Sequence, residues 1–547
     1  MAKGSLVSRR RFLQRSISLA GMAWINRSAW TQQAKRSGPA PLDIKRVQEH
    51  FKQFQRQELA ATGKPGPDIW PWVERNVPLF ESSDTQIERI YYFRWYSLQK
   101  HIVDTGRGRL LTEFLLPVKW GGYGQTIPDA APHHLRDVRW LREDSVANDY
   151  ARFWCSSDGA PRSYSLALAD SVRSVALAKG DRHLVADLLP ALSDNYSQWE
   201  KTQQDSNGLF WCIDTRDGME VSISGDGYRP TLNSYMYGDA VALAAMARLQ
   251  GDTAAARQWQ QKADQQRTRV ERELWNPADS FYEVRSPAAD SGIRKEKKFK
   301  DNGSSLKLAG VRELIGYVPW YYNLPSSTDR AVAWKQLFDP QGFAGAYGPT
   351  TAERRSPRFR YANDDQCQWN GPSWAFATTQ TLVALGNVLN GAAQTHIGKA
   401  EYLKLMQVYA HGHQLKLASG EVIPWGDEAQ DADTGEWITR NILKARNSPL
   451  IGRGSYYNHS GYADPLITGL VGLRPREDDV IEINPLLPER AWNYYAIDAL
   501  PYHGRLLRIQ YDATGQHYKT GAGMRLWVDG RLVASRSALG PLQAKLS

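Results

Sequence analysis

The sequence predicts a mainly α-helical fold: a closed toroid of paired helices from about residue 82 to 475, with a small β module behind it. Three observations carry that expectation. Apolar residues recur at helical spacing through the middle of the chain, and long loops rich in Gly, Pro and Trp separate those stretches. After about residue 478, period-two alternation takes over.

Residues 1–38 form a basic head, with Lys3, Arg9, Arg10, Arg11, Arg15, Arg27, Lys35 and Arg36 and no acid. Ser8-Arg9-Arg10-Arg11-Phe12-Leu13-Gln14 resembles a twin-arginine export signal, followed by a modestly apolar stretch from Ile17 to Ile25. That stretch is too short to span a bilayer as a helix. The expectation is export to the periplasm or beyond, without stable membrane insertion. Setting the head aside leaves +2 of the chain's net charge of +10. A nucleic-acid partner is therefore not expected, because its binder carries the basic excess on the folded domain.

Residues 39–81 are punctuated by proline and read as an N-terminal segment with one helix. Within 82–475, Leu232, Met236, Ala240, Leu243 and Ala247 mark one helix face opening just after Pro230. Similar stretches lie near 165–180, 253–274, 373–390 and 396–418, and another carries Tyr462, Leu466, Leu470 and Leu473. No fixed period links them, which favours a closed ring with functional loops gathered at one end over a solenoid. Residues 476–547 form the β module, sandwich-like, in which Asp529-Gly530 joins Met524–Val528 to Arg531–Val533 as a hairpin.

A hydrophobic fraction of 42% with 23% charged residues excludes disorder throughout. The 20 Trp and 26 Tyr suit stacking on sugar rings as well as filling a large core. The three cysteines, Cys155, Cys212 and Cys367, make neither a disulfide scaffold nor a zinc ribbon. With no phosphate loop or dinucleotide fingerprint, no cofactor is expected, and the sequence leaves room only for a structural calcium ion.

Three loops combine carboxylates, aromatics and turn residues. The first runs from Gly208 through Trp211, Cys212, Asp217 and Glu220 to Arg229 and Asn233. The second holds Asp364, Asp365, Cys367, Trp369, Asn370 and Trp374, and the third holds Trp425, Glu428, Thr434 and Gly435, followed by Tyr456, Tyr457 and His459. Hydrolysing a glycosidic bond needs a proton for the departing oxygen and a base to activate water. Two carboxylates from distant loops set among aromatics meet that need, and an apolar wall keeps the acid protonated. Upstream, Trp120, Tyr123, His134, Arg139 and Trp140 lie in a stretch suited to binding sugar hydroxyls. Because adjacent residues do not converge on one ion, His133-His134 reads as part of that binding stretch and not as a metal pair.

At these loops the chain resembles the α/α-barrel hydrolases of glycoside hydrolase families 37 and 63, and most closely the mannosylglycerate-hydrolase-like group. Asp217-Gly218-Met219-Glu220 matches the loop that carries the general acid there, with Glu in place of Asp. Glu428, Thr434 and Gly435 match the base loop, with Ala432 in place of its proline. Trp369-Asn370-Gly371-Pro372-Ser373-Trp374 matches a segment that lines the sugar site. The resemblance implies an (α/α)6, six-hairpin glycosidase-like toroid and an inverting hydrolase of an oligosaccharide or glycoside. Glu220 is the implied acid and Glu428 the implied base, with Asp217 as a rival acid. Bound sugar would meet Trp120, Tyr123, His134, Arg139, Trp140, Trp211, Asp217, Arg229, Asn233, Trp369, Asn370, Trp374, Trp425 and His459. A polysaccharide lyase is the alternative enzyme, with Arg136, Arg139 or Arg229 facing a uronate. A binding protein on an inactive hydrolase scaffold is the non-enzymatic alternative. Cys212 and Cys367 are expected to border one cavity.

Overall fold

A computed structural model describes residues 42–287, 306–359 and 366–546. The export-signal motif and Asp364-Asp365 lie outside them.

The chain enters through the helix Ile44–Thr62, whose N-terminus is capped by Asp43 accepting from the Lys45 and Arg46 amides. It ends at Gly63, which adopts a φ of +75° and returns its N–H to the Leu59 carbonyl. Asp84, Asp181 and Asp252 cap Thr85–Lys100, Arg182–Gln203 and Thr253–Glu273 in the same way. Pro230 opens Pro230–Leu249, where a missing N–H costs nothing. That helix is apolar nearly all round and correspondingly buried, packed against Thr253–Glu273, Leu168–Lys179 and Arg182–Gln203.

The sequence-predicted helices near 165–180, 253–274 and 373–390 correspond to Leu168–Lys179, Thr253–Glu273 and Ala375–Asn390. The stretch at 396–418 is shorter as a helix, Lys399–Gly412, and then turns into a small hairpin of Leu415–Lys416 and Val422–Ile423. The stretch after Ser460 departs further from a regular helix. Ala463–Pro465 is α-helical, Leu466–Val471 widens into π-helical turns, and Leu473–Arg474 is already a strand. Its apolar residues Tyr462, Leu466, Leu470 and Leu473 are buried all the same.

The C-terminal part is rich in sheet. A five-stranded antiparallel sheet orders Leu79–Ser82, Tyr494–Tyr502, Arg505–Asp512, Gly523–Val528 and Arg531–Arg536. The hairpin at Asp529-Gly530 forms as expected: both residues have positive φ, and Val528 pairs with Arg531. The first strand comes from the N-terminal segment, which thereby joins the C-terminal sheet through Tyr494–Tyr502. A second sheet joins Leu473–Arg474, Val480–Ile483 and Leu542–Lys545.

Most of the tryptophan content is core. Trp95, Trp140, Trp154, Trp199, Trp334 and Trp425 are fully buried. Among the described residues, the exposed large aromatics are Trp120 and Tyr123, at 45% and 40% exposure.

Candidate active site

The loop before Ala375–Asn390 brings the other two carboxylate loops together. Its Trp369 amide donates to the Glu220 carbonyl at 3.0 Å, and Ser373 exchanges two backbone hydrogen bonds with Gln430, two residues after Glu428. Three segments remote in sequence are thereby sewn into one floor.

Glu428 is buried and held by a fork. Arg453 donates through Nε to Oε1 at 2.8 Å and through Nη2 to Oε2 at 3.0 Å. Arg453 gets there because its neighbour is glycine: a Cβ on Gly454 would stand 1.9 Å from Asp427 Oδ1. Burial pushes the Glu428 carboxyl up to about 7 against the pull of Arg453, with the charges of Asp427 and Glu220 adding to the rise. Glu220 Oε2 accepts from Cys367 Sγ at 2.9 Å. Burial first, and then the charge of Glu220, holds that sulfur well above the ordinary thiol range, so it stays a protonated donor.

Two further carboxylates face the same space, and sequence reasoning did not select them. Asp129 is pushed up to about 7, by burial first and with the Glu220 charge contributing. Gly218 lets it approach: a Cβ there would lie 2.5 Å from Asp129 Oδ2, and the residue has a φ of +67°. Glu113 is held well above the usual carboxylate range by burial, by Asp129 and by Glu428, while the Tyr457 hydroxyl donates to its Oε1. Glu113 and Glu428 are buried, with Asp129 and Glu220 half-buried beside them. Burial together with the neighbouring negative charges raises Glu113, Asp129 and Glu428, so the cluster holds protons near neutral pH.

The expected sugar-binding residues separate into groups. Trp120 stands at the cluster: its exposed ring lies under Arg453, 5.4 Å from the guanidinium carbon. Trp369 and Trp374 form a buried stack, 4.7 Å between centroids, with Asn370 buried beside them. His459 stacks at 3.8 Å on Tyr457, and burial keeps it neutral. Tyr123 is exposed but held by Arg107, and Trp211 packs edge-on against Tyr228.

Other residues on that expected list hold the frame. Asp217 and Arg229 form a buried ion pair at 2.5 Å, with the Ser165 and Thr231 hydroxyls also donating to Asp217. Asn233 ties the Phe210 backbone to the start of Pro230–Leu249. His134, held neutral by burial, bonds Tyr150 and the Asn458 carbonyl, which positions the strip bearing Tyr457. Trp425 is fully buried, with its indole N–H on Asp427 and Arg440 over its ring. Arg139 and Trp140 both bond Asp464; Arg139 lines a different cavity and Trp140 is fully buried. Cys212 and Cys367 are free thiols that reach the same turn, Cys212 Sγ lying 3.6 Å from Asp217 Oδ1 and Cys367 meeting Glu220.

The raised carboxyls predict a pH signature. Folded Asp129 and Glu428 keep protons to about pH 7 that an unfolded chain releases near pH 4. The native state binds more protons across that window, so stability is fully present below it and is lost as pH rises through it. Asp129→Asn is expected to raise the thermal midpoint at pH 8 and leave it nearly unchanged at pH 4. A pH-independent difference in melting curves would contradict the assignment.

Among the described residues, no group of three or more His, Cys, Asp or Glu is arranged to hold a metal ion, and no helix is long and apolar enough to cross a membrane.

Comparison with known proteins agrees with this chemistry. Residues 123–460, more than half of the chain, match the family described as mannosylglycerate hydrolase MGH1-like glycoside hydrolase domain. Residues 473–534 match the C-terminal domain of glycosyl hydrolase family 65. A solved protein called sialidase is 36% identical over 90% of this chain with a TM-score of 0.80, and this chain spans 44% of its length. A GH78 rhamnosidase of a Bacillus species shares the fold at 13% identity, a TM-score of 0.50, and coverage of 80% of this chain and 40% of its own. The GH63 mannosylglycerate hydrolase of Thermus thermophilus, solved with glucose, is 14% identical, with a TM-score of 0.48 and coverage of 68% and 98%.

Proposed function

The chain belongs to the mannosylglycerate hydrolase MGH1-like glycoside hydrolase domain family, and from that membership we propose that it hydrolyses a glycosidic bond with inversion of configuration. In this reading the helices close as an (α/α)6 toroid, with the carboxylate cluster at one mouth. Glu220 gives its proton to the departing glycosidic oxygen. Glu428 takes a proton from water as its oxygen bonds the anomeric carbon and the carbon–oxygen bond to the leaving group breaks. Arg453 orients Glu428, Cys367 orients Glu220, and Trp120 offers the open aromatic face at the mouth. Glu113 and Asp129 bind sugar hydroxyls, one of them protonated. The observation that carries this reading is that Glu220 and Glu428, from separate loops, come close enough for the Glu220 charge to raise the Glu428 carboxyl.

The cluster also bears on the substrate. The guanidinium that meets the cluster, on Arg453, is already committed to Glu428, which favours a neutral sugar over an acidic one. The lyase alternative loses the arginines it needs for a uronate: Arg136, Arg139 and Arg229 are paired with Asp170, Asp464 and Asp217. Incubating the protein with a panel of neutral α- and β-glycosides and following the first product anomer by NMR tests the proposal. The expected result is the anomer opposite to the substrate's. Retention overturns the inverting mechanism, and unsaturated products overturn hydrolysis.

We also propose export through the twin-arginine pathway, supported by Arg9 and Arg10 ahead of a short apolar stretch. Changing both to Lys is expected to leave the protein in the cytoplasm, because the guanidinium pair is what the receptor reads. Undiminished periplasmic yield of the double variant would overturn it.

A further inference from the structure

A cavity of about 220 Å³ lies far from the carboxylate cluster and is lined by Arg136, Arg139, Arg173 and Arg474 among others. Its wall takes the later turns of Ala375–Asn390, from Leu382 to Asn387, whereas Trp374 at the start of that helix belongs to the active-site floor. At 1.5 Å per residue, Asn387 is about 20 Å further along. None of the four cluster carboxylates is among the groups that act on Arg136, Arg139 or Arg474.

Three of the four guanidiniums are balanced. Arg136 meets Asp170 at 2.5 Å, Arg139 meets Asp464 through Nε at 2.9 Å and Nη2 at 2.6 Å, and Arg173 meets Glu477 at 2.6 Å. Arg474 is different. Among the described residues it makes no ion pair, and its side chain has a single long hydrogen bond, Nη2 to Asn387 Oδ1 at 3.5 Å. Burial lowers its proton affinity, against the pull of Tyr402 and of the Glu482 and Asp464 carboxylates, which lie beyond ion-pair contact with it. Buried charges in folded proteins are otherwise paired, because leaving one alone is costly.

A second, independent observation points to the same gap. The Tyr321 hydroxyl lines this cavity, is buried, and has no hydrogen-bond partner; the same holds for Arg136 Nε and Arg173 Nε. All three can donate, and among the described residues they are the buried side-chain polar atoms of this lining left without a partner, although Asp170 and Asp464 also line it. The aromatic surface offers no sugar platform, since Arg136 covers the Tyr321 ring at 5.0 Å. Tyr322 is pressed against Gly238, where a Cβ would stand 2.1 Å from the ring. The space itself is large compared with the roughly 30 Å³ of one water.

We propose that this cavity binds a small oxyanion, a phosphoryl or carboxylate group, with Arg474 as its charge partner and Tyr321 as a hydroxyl donor. Such a ligand supplies acceptors for the donors left without a partner, and a guanidinium matches the geometry of either group. The site is separate from the glycosidase centre and does not depend on the reading of that centre.

The test uses the full-length protein and measures binding of inorganic phosphate and of malonate by calorimetry, with chloride at matched ionic strength as the control. Both oxyanions are also scored by the thermal midpoint, which a ligand specific to the folded state raises. Binding of phosphate alone identifies a phosphoryl site, and binding of malonate alone a carboxylate site. Arg474→Gln is expected to weaken the bound anion about ten- to hundredfold, the worth of a charged hydrogen bond, with unchanged glycoside hydrolysis. Tyr321→Phe should weaken it less. Should Arg474→Gln fail to fold, Arg474→Lys keeps the charge without the fork and should bind more weakly than the unaltered protein. Neither anion binding above chloride, or equal affinity in all variants, would overturn the proposal.

Discussion

Glu428→Gln is expected to lower kcat/KM by about 10²–10⁴-fold on every substrate, whatever its leaving group. The amide keeps the shape that faces Arg453 but cannot take a proton from water, and water must be activated however easily the leaving group departs. Glu220→Gln should behave differently. On a glycoside whose leaving oxygen needs protonation the loss should be as large, whereas a glycosyl fluoride, which departs without a proton, should be turned over nearly as before. The contrast between the two substrates, not the size of either loss, separates acid from base. Melting curves taken alongside show whether each variant is folded. Equal losses on both substrates for Glu220→Gln, or full activity of Glu428→Gln, would reassign the pair, with Asp129 and Glu113 the next carboxylates in reach.

The helices and the hairpin were legible because their signals are local. Aspartates stand just before apolar-periodic runs, Pro230 opens one of them, and Asp529-Gly530 sits between two alternating stretches. That the loops of Glu220 and Glu428 meet was legible for a related reason: turn residues and aromatics crowd around both carboxylates in the chain. Glu113 and Asp129 carry no such mark. Glu113 lies in the plain run Leu-Leu-Thr-Glu-Phe, and Asp129 reads as an ordinary residue ahead of a helix. Only the close approach to Gly218 and Tyr457, which sequence spacing does not encode, makes them part of the site. Tryptophan identity was a poor guide for the opposite reason. Trp120 and Trp425 are alike in the sequence, yet one is exposed beside Arg453 and the other is sealed in the core. Arg453 was missed by the sequence reading although a signal was there: an arginine between two glycines next to Tyr456-Tyr457 is placed for a close approach.

The largest effect on stability is expected at Asp217, and it also decides the rival assignment of the acid. Its carboxylate is buried against Arg229 Nε at 2.5 Å and takes the hydroxyls of Ser165 and Thr231, so its acceptor capacity is spent inside the frame. Arg229 keeps Ser222 Oγ and the Gly225 carbonyl as other partners, but among the described residues Asp217 is the carboxylate in ion-pair contact with it. Asp217→Ala therefore leaves a buried guanidinium with the charge of Glu313 outside ion-pair contact and no contacting carboxylate among the described residues. Breaking a buried pair typically costs about 3–5 kcal/mol. Pairing that change with Arg229→Met should restore part of the loss, because the second substitution removes the stranded charge; the double variant is then more stable than the two single losses would add up to. Denaturant titration of the three variants measures this directly. If Asp217 were instead the proton donor, Asp217→Asn would melt like the unaltered protein and be inactive on glycosides while still cleaving glycosyl fluorides. A stable, inactive Asp217→Asn beside a fully active Glu220→Gln would move the acid three residues upstream.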